Sequence, residues 1–172
     1  MSEVLEKMQT RRSIRRYKSD MLPKDAIEKI VEAGTFAASG MNLQTPVIVA
    51  VTNKEIRDKM AKANAKVMGS ENDPFYGAPV VLVVLAEKKG TYVYDGSLVM
   101  GNLMLAAHEL GIGSCWIHRA KEVFEQDEWK QWLKSLGLEG EYEGIGNCVL
   151  GYAEGEYPGV LPRKEKRVYF VE

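Results

Sequence analysis

The spacing of apolar and polar positions changes period several times along the chain, and each change marks an element. Val4, Leu5 and Met8 recur at helical spacing, so a first helix is predicted from Ser2, its cap, to about Gln9. Pro23 stands near the start of a second helix, roughly Lys24–Phe36, whose Ala26, Ile27, Ile30, Val31 and Ala33 make a stripe suited to burial. Val47-Ile48-Val49-Ala50-Val51 is β-branched and almost uninterrupted, and Pro46–Val51 reads as a buried strand. Thr52-Asn53-Lys54-Glu55 has capping-box spacing and predicts a helix to about Val67. A polar loop, Gly69–Tyr76, leads to a second strong strand, Pro79–Ala86.

The longest helix is predicted from about Val93 to Leu110, roughly 27 Å at 1.5 Å per residue. Its middle, Leu98–Ala107, is apolar nearly all round, and a domain of this size rarely encloses such a helix. A dimer interface is therefore expected along it. A short strand over Ser114–Ile117 follows, then an amphipathic helix over Lys121–Leu136 that Gly137 ends, then a last central strand over Ile145–Tyr152. The remaining tail, with Pro158–Lys164 and Arg167–Val171, has too little apolar surface to fold alone. No internal repeat or interdomain linker interrupts the sequence, so residues 1–172 are read as one domain.

Composition changes this picture little. The hydrophobic fraction is 45%, the charged fraction 27% and the net charge −1, which excludes a nucleic-acid-binding protein on electrostatic grounds. No apolar run reaches the roughly 20 residues of a membrane span, and the N-terminus lacks the apolar core of a secretory signal. Cys115 and Cys148 are far apart in apolar settings, as expected of reduced thiols in a cytoplasmic protein.

Candidate chemistry lies near the start. Arg11-Arg12-Ser13-Ile14-Arg15-Arg16-Tyr17 packs four guanidinium groups and a hydroxyl into seven residues. Guanidinium offers bidentate, permanently charged contacts to phosphate oxygens, so the segment is a candidate anion site, with a solvated basic turn as the alternative. A second polar cluster, Ser39, Asn42 and Gln44, falls in a loop of small residues ahead of Pro46, where the backbone can approach a ligand closely.

Arg11-Arg12-Ser13-x-Arg15 resembles the opening signature of the FMN-dependent nitroreductase family, and three later stretches fit the same resemblance. Ser39-x-x-Asn42-x-Gln44 is similar to a family element that contacts the flavin from the opposite subunit, with Thr45-Pro46-Val47 replacing its usual Pro-Trp ending. Gly101–Trp116 is similar to the family's central helix and the turn after it. The tail resembles a C-terminal arm whose basic residues return to the FMN phosphate and whose last strand joins the partner's sheet. For a short member of the family, the resemblance implies an α+β class. The fold would be a three-layer α/β/α arrangement around a mostly antiparallel sheet, in a homodimer with a swapped arm at about 157–172. It also implies roles: Arg11, Ser13 and Arg163 at the phosphate, with Arg12 and Lys164 beside them, and Arg15 at the pyrimidine edge. Ser39, Asn42, Gln44, Trp116, Ile117 and His118 would border the ring. Trp116-Ile117-His118-Arg119 stands where relatives often have Trp-Ile-Gly-Gly, which brings a histidine and an arginine to that edge.

Other motifs carry no chemistry. Gly144-x-Gly146 lacks dinucleotide spacing, His108-Glu109 lacks a second histidine for zinc, and Cys115 has no base nearby in sequence. The absence of a catalytic triad accords with a cofactor-borne reaction. The expected activity is transfer of hydride from NADH or NADPH through flavin N5 to a nitroaromatic, quinone or similar small acceptor, in a ping-pong cycle. With little sequence between Glu87 and Val93 or after Trp116 to build a lid, the pocket should be open. Dehydrogenation or reductive dehalogenation at the same site, or a non-catalytic FMN-binding dimer, are the alternatives.

Overall fold

A computed structural model describes residues 2–172. Among them are six α-helices, α1 (Glu3–Thr10), α2 (Lys24–Thr35), α3 (Lys54–Met68), α4 (Tyr92–Glu109), α5 (Ala120–Phe124) and α6 (Asp127–Ser135), and four strands, β1 (Pro46–Val51), β2 (Val80–Glu87), β3 (Gly113–Ile117) and β4 (Tyr142–Gly151). The strands form one antiparallel sheet in the order β1-β2-β4-β3.

Alternation along β2 explains the layers. Val81, Val83 and Leu85 face Met60, Phe75, Phe124 and Trp129 from α3, α5, α6 and the loop before β2. Val80, Leu82, Val84 and Ala86 face Ile27 and Ile30 of α2 and Met100 and Leu103 of α4. Helices thus cover both sides of the sheet, the three-layer α+β arrangement that the resemblance implies. β2 is buried along almost its whole length because both faces and both edges are covered.

Four local expectations are corrected. β1 is an outer strand with one unpaired edge, so its apolar run is half-buried and Ala50 is exposed. The helix expected over Lys121–Leu136 is broken: Gln126 is extended (φ −75°, ψ 140°) and begins α6. Phe124 and Trp129 both enter the same core, with rings 5.7 Å apart. Five residues along one helix would turn them about 140° from each other, so the break lets both point inward. Asn53, not Thr52, caps α3, its Oδ1 accepting from Ile56 N at 3.0 Å, and Gly69 closes that helix at φ +65°. Ser2 makes no side-chain capping bond to α1.

α4 is covered on one side only. Met100, Leu103 and Ala107 are buried, whereas Tyr94 and Leu98 are exposed, and nothing lies within 4 Å of where a Gly101 side chain would begin. The tail beyond Glu154 is exposed throughout and has no regular secondary structure.

Candidate functional site

The arginine segment belongs to no helix or strand, but two isolated bridges, Ser13 to Ser114 and Tyr17 to Ala153, fix its path. Ile14 N donates to Ser114 O (2.9 Å), Lys18 N to Tyr152 O (2.9 Å) and Glu154 N to Arg16 O (3.0 Å), so the segment lies extended across the start of β3 and the exit of β4. Extended backbone sends alternate side chains opposite ways. Ile14 is buried in the core, which leaves Arg11, Ser13 and Arg15 to share the other direction. All three act on the Cys115 thiol, yet its burial outweighs them and pushes it above the ordinary thiol range. The Cys148 thiol is pushed up further, by complete burial first. Both cysteines are free and buried, which suits packing and not nucleophilic work.

The two leading arginines differ in their bonding. Arg12 is occupied by backbone carbonyls, its Nε donating to Gly159 O (3.1 Å) and its Nη2 to Gln9 O (2.8 Å). Arg11 has a buried Nη1 with no acceptor among the described residues, and the Oγ of Ser114, which bridges to Ser13, is likewise buried and without a partner among them. A buried guanidinium nitrogen without a partner is costly, and an anion is the group that would satisfy it. The residues present therefore fit a phosphate.

At the far end of β3, about 13 Å away at 3.3 Å per residue, stand His118 and Arg119. His118 is exposed. Arg119 adopts φ +80° and pairs with Glu122 at 2.8 Å, so a left-handed residue occupies the second of the two positions where the resemblance leads one to expect glycine. The Trp116 indole lies over Gly146, where an added Cβ would come within 2.5 Å of its ring nitrogen. The Ile117 side chain goes to the core and offers only its backbone to a ligand.

Ser39, Asn42 and Gln44 lie elsewhere. Gly40 N donates to Asp95 Oδ1 (3.1 Å), and Thr91 Oγ1 donates to the same oxygen (2.9 Å), which pins this loop to the first turn of α4. Within it Met41, Asn42 and Gln44 all have positive φ, and Gln44 Nε2 donates to Asn42 Oδ1 (2.9 Å). The arginine segment lies by the opposite end of α4: Thr10, just before it, contacts His108, and Arg12 reaches His108 through the Tyr157 hydroxyl. Eighteen helical residues, about 27 Å, separate the two clusters in one chain. Arg163 and Lys164 are exposed on the tail.

Sequence reasoning missed three participants. Asp95 is buried and holds the loop with one oxygen while its Oδ2 has no partner; a lone acid in an apolar helix was the available signal. His108 and Tyr157 meet across 49 residues of sequence, and no local pattern announces them.

Comparison with known proteins bears on this arrangement. The profile of the Nitroreductase family matches residues 8–152. A relative from Methanothermobacter thermautotrophicus, whose name proposes an NADH dehydrogenase/NAD(P)H nitroreductase, is 32% identical over 124 residues, covering 66% of this chain and 60% of its own length. One from Archaeoglobus fulgidus with the same name is 32% identical over 163 residues, 91% of this chain and 88% of its own. The crystal structure of a Bacteroides fragilis nitroreductase with bound FMN superposes with a TM-score of 0.88 at 32% identity, covering 100% of both chains. With its helix-flanked antiparallel sheet, its arginine segment and a profile match over most of its length, the chain belongs to the nitroreductase family.

Proposed function

We propose that the protein is an FMN-dependent oxidoreductase that uses NADH or NADPH to reduce nitroaromatics, quinones or similar small acceptors. The observation that carries this reading is the buried Nη1 of Arg11, without a partner among the described residues, on the segment whose Ser13 bridges to the start of β3. A flavin phosphate there would complete its bonding, and Arg163 and Lys164 of the tail would add charge from the solvent side. Arg15, exposed on the same segment, would place a cation beside the pyrimidine edge and stabilise negative charge as it develops. FMN, if bound there, would supply the redox chemistry, that of a two-electron hydride carrier. Only His118 and Arg119 separate β3 from α5, so nothing long enough for a lid stands at that end. An open face supports sequential use by nicotinamide and acceptor, a ping-pong order.

Two chains are needed for this site. The Ser39–Gln44 loop and the arginine segment lie at opposite ends of α4, so they can border one ligand only if each comes from a different protomer. The exposed face of α4 (Tyr94, Leu98, Gly101) would pack against its mate. A groove of about 850 Å³ beside the free edge of β1, lined by Leu22, Ile27, Val31 and Ala50 with Glu28 and Glu32, would seat the partner's tail. That tail carries Val168, Tyr169 and Phe170 exposed, next to Lys166 and Arg167. Reduced buried thiols fit a cytoplasmic setting for such a dimer.

Anaerobic mixing of the FMN-loaded protein with NADH or NADPH tests the reading. The oxidised flavin absorbance should bleach within seconds and return on adding a quinone. A flavin that stays oxidised with both nicotinamides would leave a binding protein without this activity.

A further inference from the structure

His108, on the last turn of α4, sits where α1, the arginine segment and the root of the tail meet. Its Nε2 lies 2.8 Å from Thr10 Oγ1 and its Nδ1 3.0 Å from the Tyr157 hydroxyl, and the two rings stack at 5.5 Å. The partners' other bonds fix the protons. Thr10 Oγ1 donates to Glu6 O (2.9 Å), so towards His108 it can only accept. The Tyr157 oxygen accepts from Arg12 N–H (3.0 Å), and its own proton is available to Nδ1. The neutral Nε2–H tautomer satisfies every group. The other tautomer would leave Nε2 facing an oxygen whose proton is already used.

We propose that His108 and Tyr157 form a pH-sensitive latch that ties the root of the tail to the arginine segment and positions that segment, closed while His108 holds a single proton on Nε2. A second proton, on Nδ1, would remove the lone pair that accepts the Tyr157 O–H and turn Nδ1 into a donor that competes with the Arg12 amide for the Tyr157 oxygen. It would also place a positive charge among Lys7 of α1 and Arg11 and Arg12 of the segment. Glu109 is the acid that opposes them, and it is already paired with Lys7 at 3.3 Å. Burial first, then Lys7 and Arg11, hold the closed-state imidazole below its ordinary range. The sign follows from linkage. A base whose pKa is depressed in the closed form favours closure fully above its open-state value, near 6.5. That preference weakens as pH falls below it, by up to about tenfold per unit until the closed-state pKa is reached. The latch goes beyond the flavin reading and does not depend on it.

The Arg12 amide reports the latch directly, because its hydrogen is the one Tyr157 accepts. The Glu154 amide, bonded to Arg16 O, is the internal control. Amide exchange of the full-length protein is measured from pH 7.5 to 5 and corrected for intrinsic rates, in the native protein and in Tyr157→Phe. Arg12 protection should fall several-fold below pH 6.5 in the native protein while Glu154 protection holds. In Tyr157→Phe it should be low at every pH. Ring ¹⁵N shifts, assigned with His118→Gln since the chain has two histidines, should show the Nε2–H tautomer at pH 7.5. An Nδ1–H tautomer, Arg12 protection that ignores pH, or equal loss at Arg12 and Glu154 would each overturn the latch.

Discussion

Arg11 and Arg12 are adjacent, chemically identical, and bound to different tasks. Arg12 donates to Gly159 O and Gln9 O and so holds the chain together, while Arg11 keeps a buried nitrogen without a partner among the described residues. Arg11→Ala should therefore lower FMN affinity roughly ten- to a hundredfold, the loss of a charge-assisted bond of about 1.5–3 kcal/mol. Riboflavin, which has no phosphate, should bind the variant as it binds the native protein in a fluorescence titration. Equal weakening of both would remove Arg11 from the phosphate. Arg119 makes a separate residue-scale case. Its left-handed backbone costs about 1–2 kcal/mol in a residue with a Cβ, more than the few tenths expected of its half-exposed pair with Glu122. Arg119→Gly should then raise stability by about 1 kcal/mol in urea unfolding, and a lower midpoint would mean the ion pair dominates.

At the scale of elements, close approach sets tolerance. A Cβ at Gly144 would lie 2.4 Å from the backbone carbonyl of Ala120, which cannot swing aside as a side chain can. Gly144→Ala should cost about 1–3 kcal/mol by overpacking, whereas Gly159→Ala, with nothing within 4 Å, should change stability by under about 0.5 kcal/mol. Denaturant midpoints at one protein concentration check both. The elements legible in the sequence were those whose local pattern and tertiary setting agree. The β-branched run of β2 and the apolar length of α4 are placed to within a residue or two, because burial there matches the pattern. The break at Gln126 was hidden, since Lys121, Glu122, Glu125, Glu128 and Lys130 around it are good helix formers and the need to turn Trp129 inward arises only from the sheet. The openness of β1 was hidden for a related reason: strand order is decided by chain crossings that no local window contains. In the candidate site the arginines and the Ser39–Gln44 cluster were legible as chemistry. Their separation by the length of α4, and the contacts of Asp95, His108 and Tyr157, were visible only once the chain was folded.

The molecule as a whole reads as half of something. One helix face, one sheet edge and a tail bearing Val168, Tyr169 and Phe170 stand exposed together, and the two polar clusters suited to a flavin sit too far apart to share one within the chain. All of these resolve at once if two protomers exchange tails and pair across α4, as a two-fold dimer allows. The direct test is complementation. Arg11→Ala chains are mixed with chains carrying Asn42→Ala and Gln44→Ala, unfolded and refolded together, and titrated with FMN. If each site takes the arginine segment from one protomer and the loop from the other, every heterodimer regains one intact site, and about a quarter of all sites should bind FMN with native affinity. A mixture in which both parents fold and dimerise but no native-affinity site returns would contradict the shared site.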